Sequence, residues 1–299
     1  MIAHPDPVPG ASTASSPPAR QLWPADVSRL RLHDHSRLDE ADAAALVVEC
    51  PGSSFWIPET GEFLIVTPWR HRSDIVTIHT SGAFAHEAVL MEAVIDHAAG
   101  EGYAALIVMD INESRHPAFY ARHGLTKLED IVTYEHRQPA QLATAGHYEG
   151  LDFRQVDPGD GPARAILLNL DHEAFPWLWR NSPSEFESYL RFPGVEVWIG
   201  YSGSEAVCYA GFTHYHRWGH LDRIATVPRH QGKGYGRQML GMAVQRMVAR
   251  GAYRVALSTQ GVNARSRKLY ADAGFSRTPD DDYAIFAILF DVRRHENPE

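Results

Sequence analysis

The stretch IATVPRHQGKGYGRQML, residues 224–240, joins a β-type run to a glycine-rich loop and then to a helical pattern of apolar residues. Glycines at 232, 234 and 236 permit positive φ and keep side chains out of the loop. The main-chain N–H groups of residues 232–237 can then converge on an anion. The N-terminus of the helix that follows adds unpaired donors and the positive end of its dipole. The pattern predicts a loop that binds a diphosphate.

Three glycine-rich phosphate motifs compete for this loop. A Walker loop needs GxxxxGK followed by Ser or Thr, which the sequence lacks. A dinucleotide fingerprint GxGxxG that begins at Gly232 would need glycine at 237, where Arg237 stands. The spacing that fits is Gln-x-x-Gly-x-Gly, beginning at Gln231, and it resembles the coenzyme A loop of the GNAT acetyltransferases.

A second motif supports the resemblance. The stretch NARSRKLYADAGF, residues 263–275, is similar to the family's Asn-x-x-Ala-x-x-Leu-Tyr-x-x-x-Gly-Phe, with one departure. Asn263 precedes Tyr270 by seven residues, as in the family. The resemblance implies an α/β (α+β) fold with a mixed, mostly antiparallel central sheet flanked by helices, and acetyl-CoA as co-substrate.

The resemblance also assigns roles to residues. Backbone groups of Ile224, Ala225 and Thr226 would contact the pantetheine arm and the acetyl carbonyl, where an N–H stabilises the oxyanion. Asn263 would contact the pantetheine arm. The pyrophosphate would be held by Gln231, Gly232, Lys233, Gly234, Tyr235, Gly236 and Arg237. The 3′-phosphate candidates, each of which could equally belong to a solvated helix face, are Arg265, Arg267 and Lys268.

The catalytic candidates are one tyrosine and two strand residues. Tyr270 would be the general acid that protonates the departing thiolate; the alternative is a core tyrosine. His220 and Asp222 alternate with Ile224, so they share one face of a strand. Either could be the base that deprotonates the amine, or both could mark a polar strand end. Some family members have an acid five residues before the Asn, but here Ser258 stands there.

The chain resembles itself, with 17 residues from Tyr103 to Tyr120 and 17 from Tyr253 to Tyr270. We predict a disordered tail (1–20), a degenerate GNAT-like domain (21–138), a linker (139–150) and a catalytic GNAT domain (151–299). The first-half loop, Ser81 to His86, keeps one glycine of three, and Asn112 stands eight rather than seven residues before its tyrosine. One CoA per chain is therefore expected.

Periodicity predicts the elements of the second half. The expected strands are 151–156, 195–201, 206–213, 221–227, 253–258 and 283–290, and the expected helices 163–175, 236–250 and 266–273. Gly203-Ser204 marks a hairpin. The aromatic cluster of Phe175, Trp177 and Trp179 indicates either core packing or the lining of an acceptor pocket.

Composition narrows the function classes. The 299 residues carry a net charge of −9 and only two cysteines, which argues against nucleic-acid binding and a disulfide framework. We expect a cytoplasmic protein without membrane partners, and no metal despite 17 histidines. The leading hypothesis is an N-acetyltransferase that modifies a primary amine of a small molecule or peptide. The alternatives are a non-catalytic acyl-CoA-binding or regulatory module, and an enzyme like mycothiol synthase, which also joins two such domains. The sequence does not indicate the acceptor or the oligomeric state.

Overall fold

A computed structural model of the protein describes residues 17–32, 38–111, 115–143 and 150–290. The chain forms two compact units. One comprises Met1–Val66 and His79–His97, and the other comprises Thr67–Ile78 and Ala98–Glu299. The predicted linker, 139–150, therefore does not separate these units. It contains a short helix at Ala140–Ala143, and its residues 144–149 lie outside the described part of the chain.

The first unit holds a small antiparallel sheet. Strand β1 (Arg20–Gln21) pairs with β2 (Phe55–Ile57), which pairs with β3 (Glu62–Pro68). Its core contains Trp56 and Phe63 of these strands, Val47 of helix α1 (Glu40–Glu49) and Leu22, which follows β1. In chain order, its elements are β1 (Arg20–Gln21), a 3-10 helix (Pro24–Arg29), α1 (Glu40–Glu49), β2 (Phe55–Ile57), most of β3 (Glu62–Pro68) and the first part of α2 (Glu87–Glu101).

The second unit contains elements from both halves of the sequence. From the first half come a 3-10 turn (Trp69–His71), the first part of β4 (Ile75–Ser81), β5 (Ala105–Ile111), α3 (Pro117–Arg122), β6 (Thr126–His136) and α4 (Ala140–Ala143). From the second half come β7 (Asp152–Gln155), α5 (Gly161–Ala174), α6 (Pro183–Arg191), β8 (Val195–Ser202), β9 (Glu205–Tyr215), β10 (Trp218–Thr226), α7 (Tyr235–Ala249), β11 (Arg254–Gln260), α8 (Ala264–Asp272), β12 (Ser276–Arg277) and β13 (Tyr283–Leu289). The strands and helices predicted for this half are all present, within a few residues at their ends.

The strands of this unit form a mixed, mostly antiparallel sheet in the order β4-β5-β13-β6-β11-β10-β9-β8-β7, as the predicted fold class requires. Each half supplies one parallel pair, β4 with β5 and β10 with β11, and each pair is connected through a helix. This shared order of strand, loop, helix and parallel strand is the repeat that the sequence predicts. Asn112, the out-of-register residue of the first half, lies outside the described residues.

The final strands of the two halves are exchanged. Strand β13, the last strand of the second half, lies between β5 and β6 of the first half. Strand β6 pairs along its other edge with β11. Because the two halves share hydrogen bonds and core in this way, neither sequence half has a complete sheet of its own.

Helices cover both faces of the second-half strands. Met239, Leu240 and Met247 of α7 are fully buried against one face. Leu167 of α5 and Phe186 of α6 are buried against the other. Replacing one such large side chain by alanine typically costs about 2–5 kcal/mol, so this packing fixes the positions of β10 and α7. Across the described residues, no helix is both long and apolar enough to cross a membrane.

Candidate functional site

The glycine-rich loop presents backbone donors at the start of α7. Gly232 and Gly234 have φ of 82° and 83°, which is the left-handed region that favours glycine. Gly234 is the N-cap of α7, and no side chain caps the helix there. Within the described chain, the N–H groups of residues 232–236 find no hydrogen-bond acceptor. Unpaired donors at a helix N-terminus suit an anion such as a diphosphate.

The side chains of the loop are engaged with the protein. Gln231 donates from Nε2 to the carbonyl of Thr226 at 3.0 Å. The Tyr235 hydroxyl lies 3.0 Å from Ser202 Oγ. Arg237 and Lys233 are exposed, the first facing Asp272 and the second His230. The donors offered to an anion are therefore chiefly those of the main chain.

Strands β10 and β11 separate beside this loop. Their parallel register ends at Leu221 with Leu257, although β11 continues to Gln260. A bulge between Leu221 and Arg223 interrupts the pairing of β10 with β9 at the same level. The N–H of Val227 points towards β9, where it donates to Val207. Since donor direction alternates along a strand, the N–H groups of Ile224 and Thr226 face the opening, and that of Ala225 faces β9.

A cleft of about 890 Å³ lies between this opening, the loop and α8; we call it the loop cleft. Arg265 and Lys268 line it, whereas Arg267 donates to the carbonyl of Gly261. Asn263 also lines it, and its Oδ1 accepts from the N–H of Ser266 at 3.0 Å, capping α8. The other predicted loop residues at its wall are Gln231, Gly232, Gly234, Tyr235, Gly236 and Arg237.

A second cavity of about 480 Å³ adjoins the loop cleft and is called the strand cavity. The two share five lining residues, which are Phe175, Ile224, Gln260, Asn263 and Ser266. All three catalytic candidates, His220, Asp222 and Tyr270, line the strand cavity. The opening between β10 and β11 thus brings the predicted loop and the predicted catalytic side chains to one continuous space.

His220 and Asp222 form a hydrogen-bonded pair. Nδ1 of His220 lies 2.7 Å from Oδ1 of Asp222. Oδ2 of Asp222 accepts from the hydroxyls of Tyr189, at 2.5 Å, and Thr213, at 2.7 Å. Because the ionised carboxylate can only accept, His220 donates from Nδ1, and in the neutral ring Nε2 is then the nitrogen that can accept a proton. A histidine held in this tautomer can act as a base.

Tyr270 is almost completely buried on α8. Burial raises the pKa of its phenol well above the ordinary value of 10.0, although a hydrogen bond with Ser266 works in the opposite direction. The hydroxyl therefore stays protonated at neutral pH and can donate a hydrogen bond or a proton into the cavity.

The aromatic cluster of Phe175, Trp177 and Trp179 lies partly in the core and partly at the strand cavity. Trp179 and Phe175 line the strand cavity, whereas Trp177 stacks beneath Arg72. Trp179 packs edge-on to Trp69, with ring centroids 5.8 Å apart, and donates from Nε1 to Glu129. These aromatic walls are therefore fixed by the core.

A buried ion pair that the sequence analysis missed supports this wall. Arg223 of β10 donates to Oδ1 of Asp171 at 2.5 Å, to the hydroxyl of Tyr209 at 2.9 Å and to the carbonyl of Trp179 at 2.8 Å. Its guanidinium also lies 4.0 Å from the ring centroid of Phe175. The sequence of β10 gave no signal for this pairing, because Asp171 lies 52 residues earlier in the chain.

In the loop of the first half, residues 81–86, a carboxylate of the protein accepts hydrogen bonds from the backbone. Glu62 is almost fully buried and accepts from the N–H groups of Phe84 and His86, at 2.7 and 3.0 Å. Nδ1 of His86 lies 2.7 Å from its other oxygen. The donors that could bind an anion in this loop are thus used internally. Within the described residues, no group of three or more His, Cys, Asp or Glu side chains is arranged to hold a metal.

Known proteins resemble this chain in one stretch of its sequence and in its fold. The sequence model of the acetyltransferase (GNAT) family matches residues 165–275. No curated protein matches the sequence. A GCN5-related N-acetyltransferase from Sphaerobacter thermophilus is similar in fold, with a TM-score of 0.58, 15% identity and coverage of 91% of this chain and 95% of that one.

Two further structures share the fold. A GCN5-related N-acetyltransferase from Kribbella flavida gives a TM-score of 0.64 at 13% identity, over 91% of this chain and 71% of that one. A tandem GNAT protein from the clavulanic acid biosynthesis pathway gives 0.60 at 14% identity, over 94% and 99%. Residues 165–275 therefore match a GNAT domain, and the chain shares its fold with GNAT proteins, including a tandem one.

Proposed function

We propose that the protein is an N-acetyltransferase that transfers the acetyl group of acetyl-CoA to a primary amine by direct attack. The observation that carries this proposal is the gap between β10 and β11. It joins unpaired N–H donors of the glycine loop to a cavity that contains His220 and Tyr270. Acetyl-CoA, when bound, supplies an activated acyl group with a thiolate as leaving group.

Backbone N–H groups and basic side chains of the loop cleft would bind acetyl-CoA, and other side chains would transfer protons. The N–H groups of residues 232–236 would hold the pyrophosphate, and those of Ile224 and Thr226 would face the pantetheine arm and the acetyl carbonyl. An N–H aimed at the developing oxyanion contributes about 3 kcal/mol to transition-state stabilisation. Arg265 and Lys268, which line the loop cleft, are the candidates for the 3′-phosphate.

Proton transfer is assigned to the side chains of the strand cavity. Most amines are protonated at neutral pH, so Nε2 of His220 would accept a proton from the substrate ammonium, with Asp222 fixing the ring. The amine nitrogen then forms its bond to the acyl carbon, and the carbon–sulfur bond breaks. Tyr270 would give its proton to the leaving thiolate and would regain one from the second N–H proton that the attacking nitrogen loses as the amide forms. The exposed side of His220 returns the substrate's proton to solvent.

The test is CoA-thiol release with acetyl-CoA and a panel of amines, with acetyl-CoA binding measured separately by calorimetry. We expect Tyr270→Phe to lower kcat by about 100-fold or more, the usual scale of general acid catalysis, with little change in acetyl-CoA affinity. We expect His220→Gln to lose activity at neutral pH and to recover part of it as pH approaches the pKa of the amine. Tyr201→Phe, which alters a buried tyrosine outside both cavities, is the control.

Two outcomes would contradict the proposal. Unchanged turnover in Tyr270→Phe would remove the general acid. A wild-type protein that binds acetyl-CoA but acetylates no amine of the panel would favour the acyl-CoA-binding regulatory module instead.

A further inference from the structure

Arg70 lines the strand cavity from an unusual backbone conformation. It lies in the 3-10 turn Trp69–His71 with φ 54° and ψ 41°, a region that residues other than glycine rarely adopt. The turn is held in place because Ser182 donates from Oγ to the Arg70 carbonyl at 3.0 Å. Nη1 of Arg70 donates to Oδ1 of the buried Asn181 at 2.7 Å. Strain of this kind is retained where the surrounding structure requires one side-chain position.

The guanidinium of Arg70 has no counter-ion of its own. Within the described chain it forms no ion pair, and its buried Nε–H has no acceptor. Asp171 is paired with Arg223, and Glu185 is hydrogen-bonded to His71 at 2.6 Å. Burial, together with the nearby charge of Arg223, lowers the pKa of Arg70 to about 10, so it keeps its charge at neutral pH. A cation that is removed from water without a counter-ion is costly, and a bound anion would offset that cost.

Building on the acetyltransferase function above, we propose that the acceptor is an amine that also carries a carboxylate, and that Arg70 binds this carboxylate in the strand cavity. The planar guanidinium matches a carboxylate in shape and charge. The amine of the bound acceptor would then lie near His220 within the same cavity. Glu185 and Asp222 also line this space, and their negative charges disfavour a dianionic phosphate. The aromatic rings of Phe175 and Trp179 suit the carbon chain between the two charged ends.

The experiment measures kcat/KM for a series of ω-amino acids, from glycine to 6-aminohexanoate, and for the matching carboxamides. We expect the wild type to prefer the acid over its carboxamide by about 10- to 100-fold at the best chain length, the range for one charged hydrogen-bonded contact. Arg70→Met should reduce the kcat/KM of each acid to that of its carboxamide. It should leave the kcat/KM of the carboxamides and the affinity for acetyl-CoA unchanged. Arg70→Lys should keep only part of the preference. The control is Arg191→Met, which removes an exposed arginine of α6 that pairs with Glu187.

Binding of the same acids, followed by ligand-observed NMR without acetyl transfer, separates this inference from the proposed function. If no amine is acetylated but the acids bind the wild type and not Arg70→Met, the carboxylate site stands and the acetyltransferase does not. Equal turnover of acids and carboxamides by the wild type would overturn the inference. So would a fall in kcat/KM in Arg70→Met that is equally large for acids and carboxamides. A preference for phosphoethanolamine over every acid would also overturn it. If Arg70→Met unfolds below the assay temperature, the ratio of kcat/KM for acid over carboxamide in Arg70→Lys tests the inference instead: a ratio equal to that of the wild type would overturn it.

Discussion

A single carboxylate, Glu62, accounts for the difference between the two loops of the repeat. By sequence alignment, Phe84 and His86 stand where Gly234 and Gly236 stand in the second half. The N–H groups of the first pair are bound to Glu62, whereas those of the second pair find no acceptor within the described residues. One side chain supplies, inside the protein, the negative charge that the other loop would take from a ligand.

This internal anion should make stability depend on acid pH. Burial alone would raise the pKa of Glu62, but hydrogen bonds from the His86 side chain and from the N–H groups of Phe84 and His86 lower it from 4.5 to about 2. Because the folded pKa is depressed, ionised Glu62 stabilises the fold above pH ~4.5, and this contribution disappears as the pH falls towards ~2. Glu62→Gln should therefore lower the free energy of unfolding at pH 7 by on the order of 2–3 kcal/mol.

Urea unfolding at pH 7, 4 and 3 measures this effect. The difference between the wild type and Glu62→Gln should shrink as the pH falls. Glu59→Gln, at an exposed carboxylate in the preceding turn, is the matched control and should unfold like the wild type. A difference between wild type and Glu62→Gln that stays constant over this pH range would show that the carboxylate charge is not the cause.

At the level of elements, α7 begins and ends next to left-handed glycines. Gly234 has φ 83° and Gly251 has φ 96°, and a Cβ at either would meet no atom within 4 Å. Alanine should cost about 1 kcal/mol of backbone strain at either position. Only Gly234 adjoins the unpaired donors, so Gly234→Ala should weaken acetyl-CoA binding by about 10-fold or more, and Gly251→Ala by less than about twofold.

Calorimetry with acetyl-CoA gives both affinity and stoichiometry. The wild type should bind one acetyl-CoA per chain, because the first-half loop is filled by Glu62. Equal weakening in the two alanine variants would mean that the loop does not hold the pyrophosphate. A stoichiometry of two would show that the first half has kept a site.

The elements of the second half could be predicted from sequence because their signals are local. Glycine spacing marked the loop, and apolar periodicity marked α7. Alternation also placed His220 and Asp222 on one face, although it gave no indication of the bulge beside them. The carboxylate that fills the first loop and the arginine of the strand cavity were missed. Glu62 and Arg70 reach their partners through pairings between distant segments, which no local pattern encodes.

At the level of the whole molecule, the exchanged strands make the two sequence halves dependent on each other. Strand β13 has β5 on one side and β6 on the other, and both neighbours come from the first half. Strand β11, which borders the opening, has β6 as its second neighbour. The first half therefore supports the site through the sheet, besides contributing Arg70 and Ile131 to the strand cavity.

This dependence predicts the behaviour of fragments. Residues 144–299 alone would leave β13 without either neighbour and expose the buried side chains of Ile285, Phe286 and Ala287. Unpaired apolar strand edges promote aggregation. We expect this fragment to be insoluble or to unfold without a cooperative transition, and to bind no acetyl-CoA. Co-expression with residues 1–143 should restore a soluble, cooperatively folded protein that binds acetyl-CoA.

The control keeps the same break in the chain but introduces it after folding, through a protease site placed within residues 144–149. The cleaved protein should retain acetyl-CoA affinity and a cooperative transition, because every strand pairing described above is already in place. If residues 144–299 alone unfold cooperatively and bind acetyl-CoA as tightly as the full chain, β13 does not need its first-half neighbours. In that case the strand exchange is dispensable for the site, and the second half is an independent folding unit.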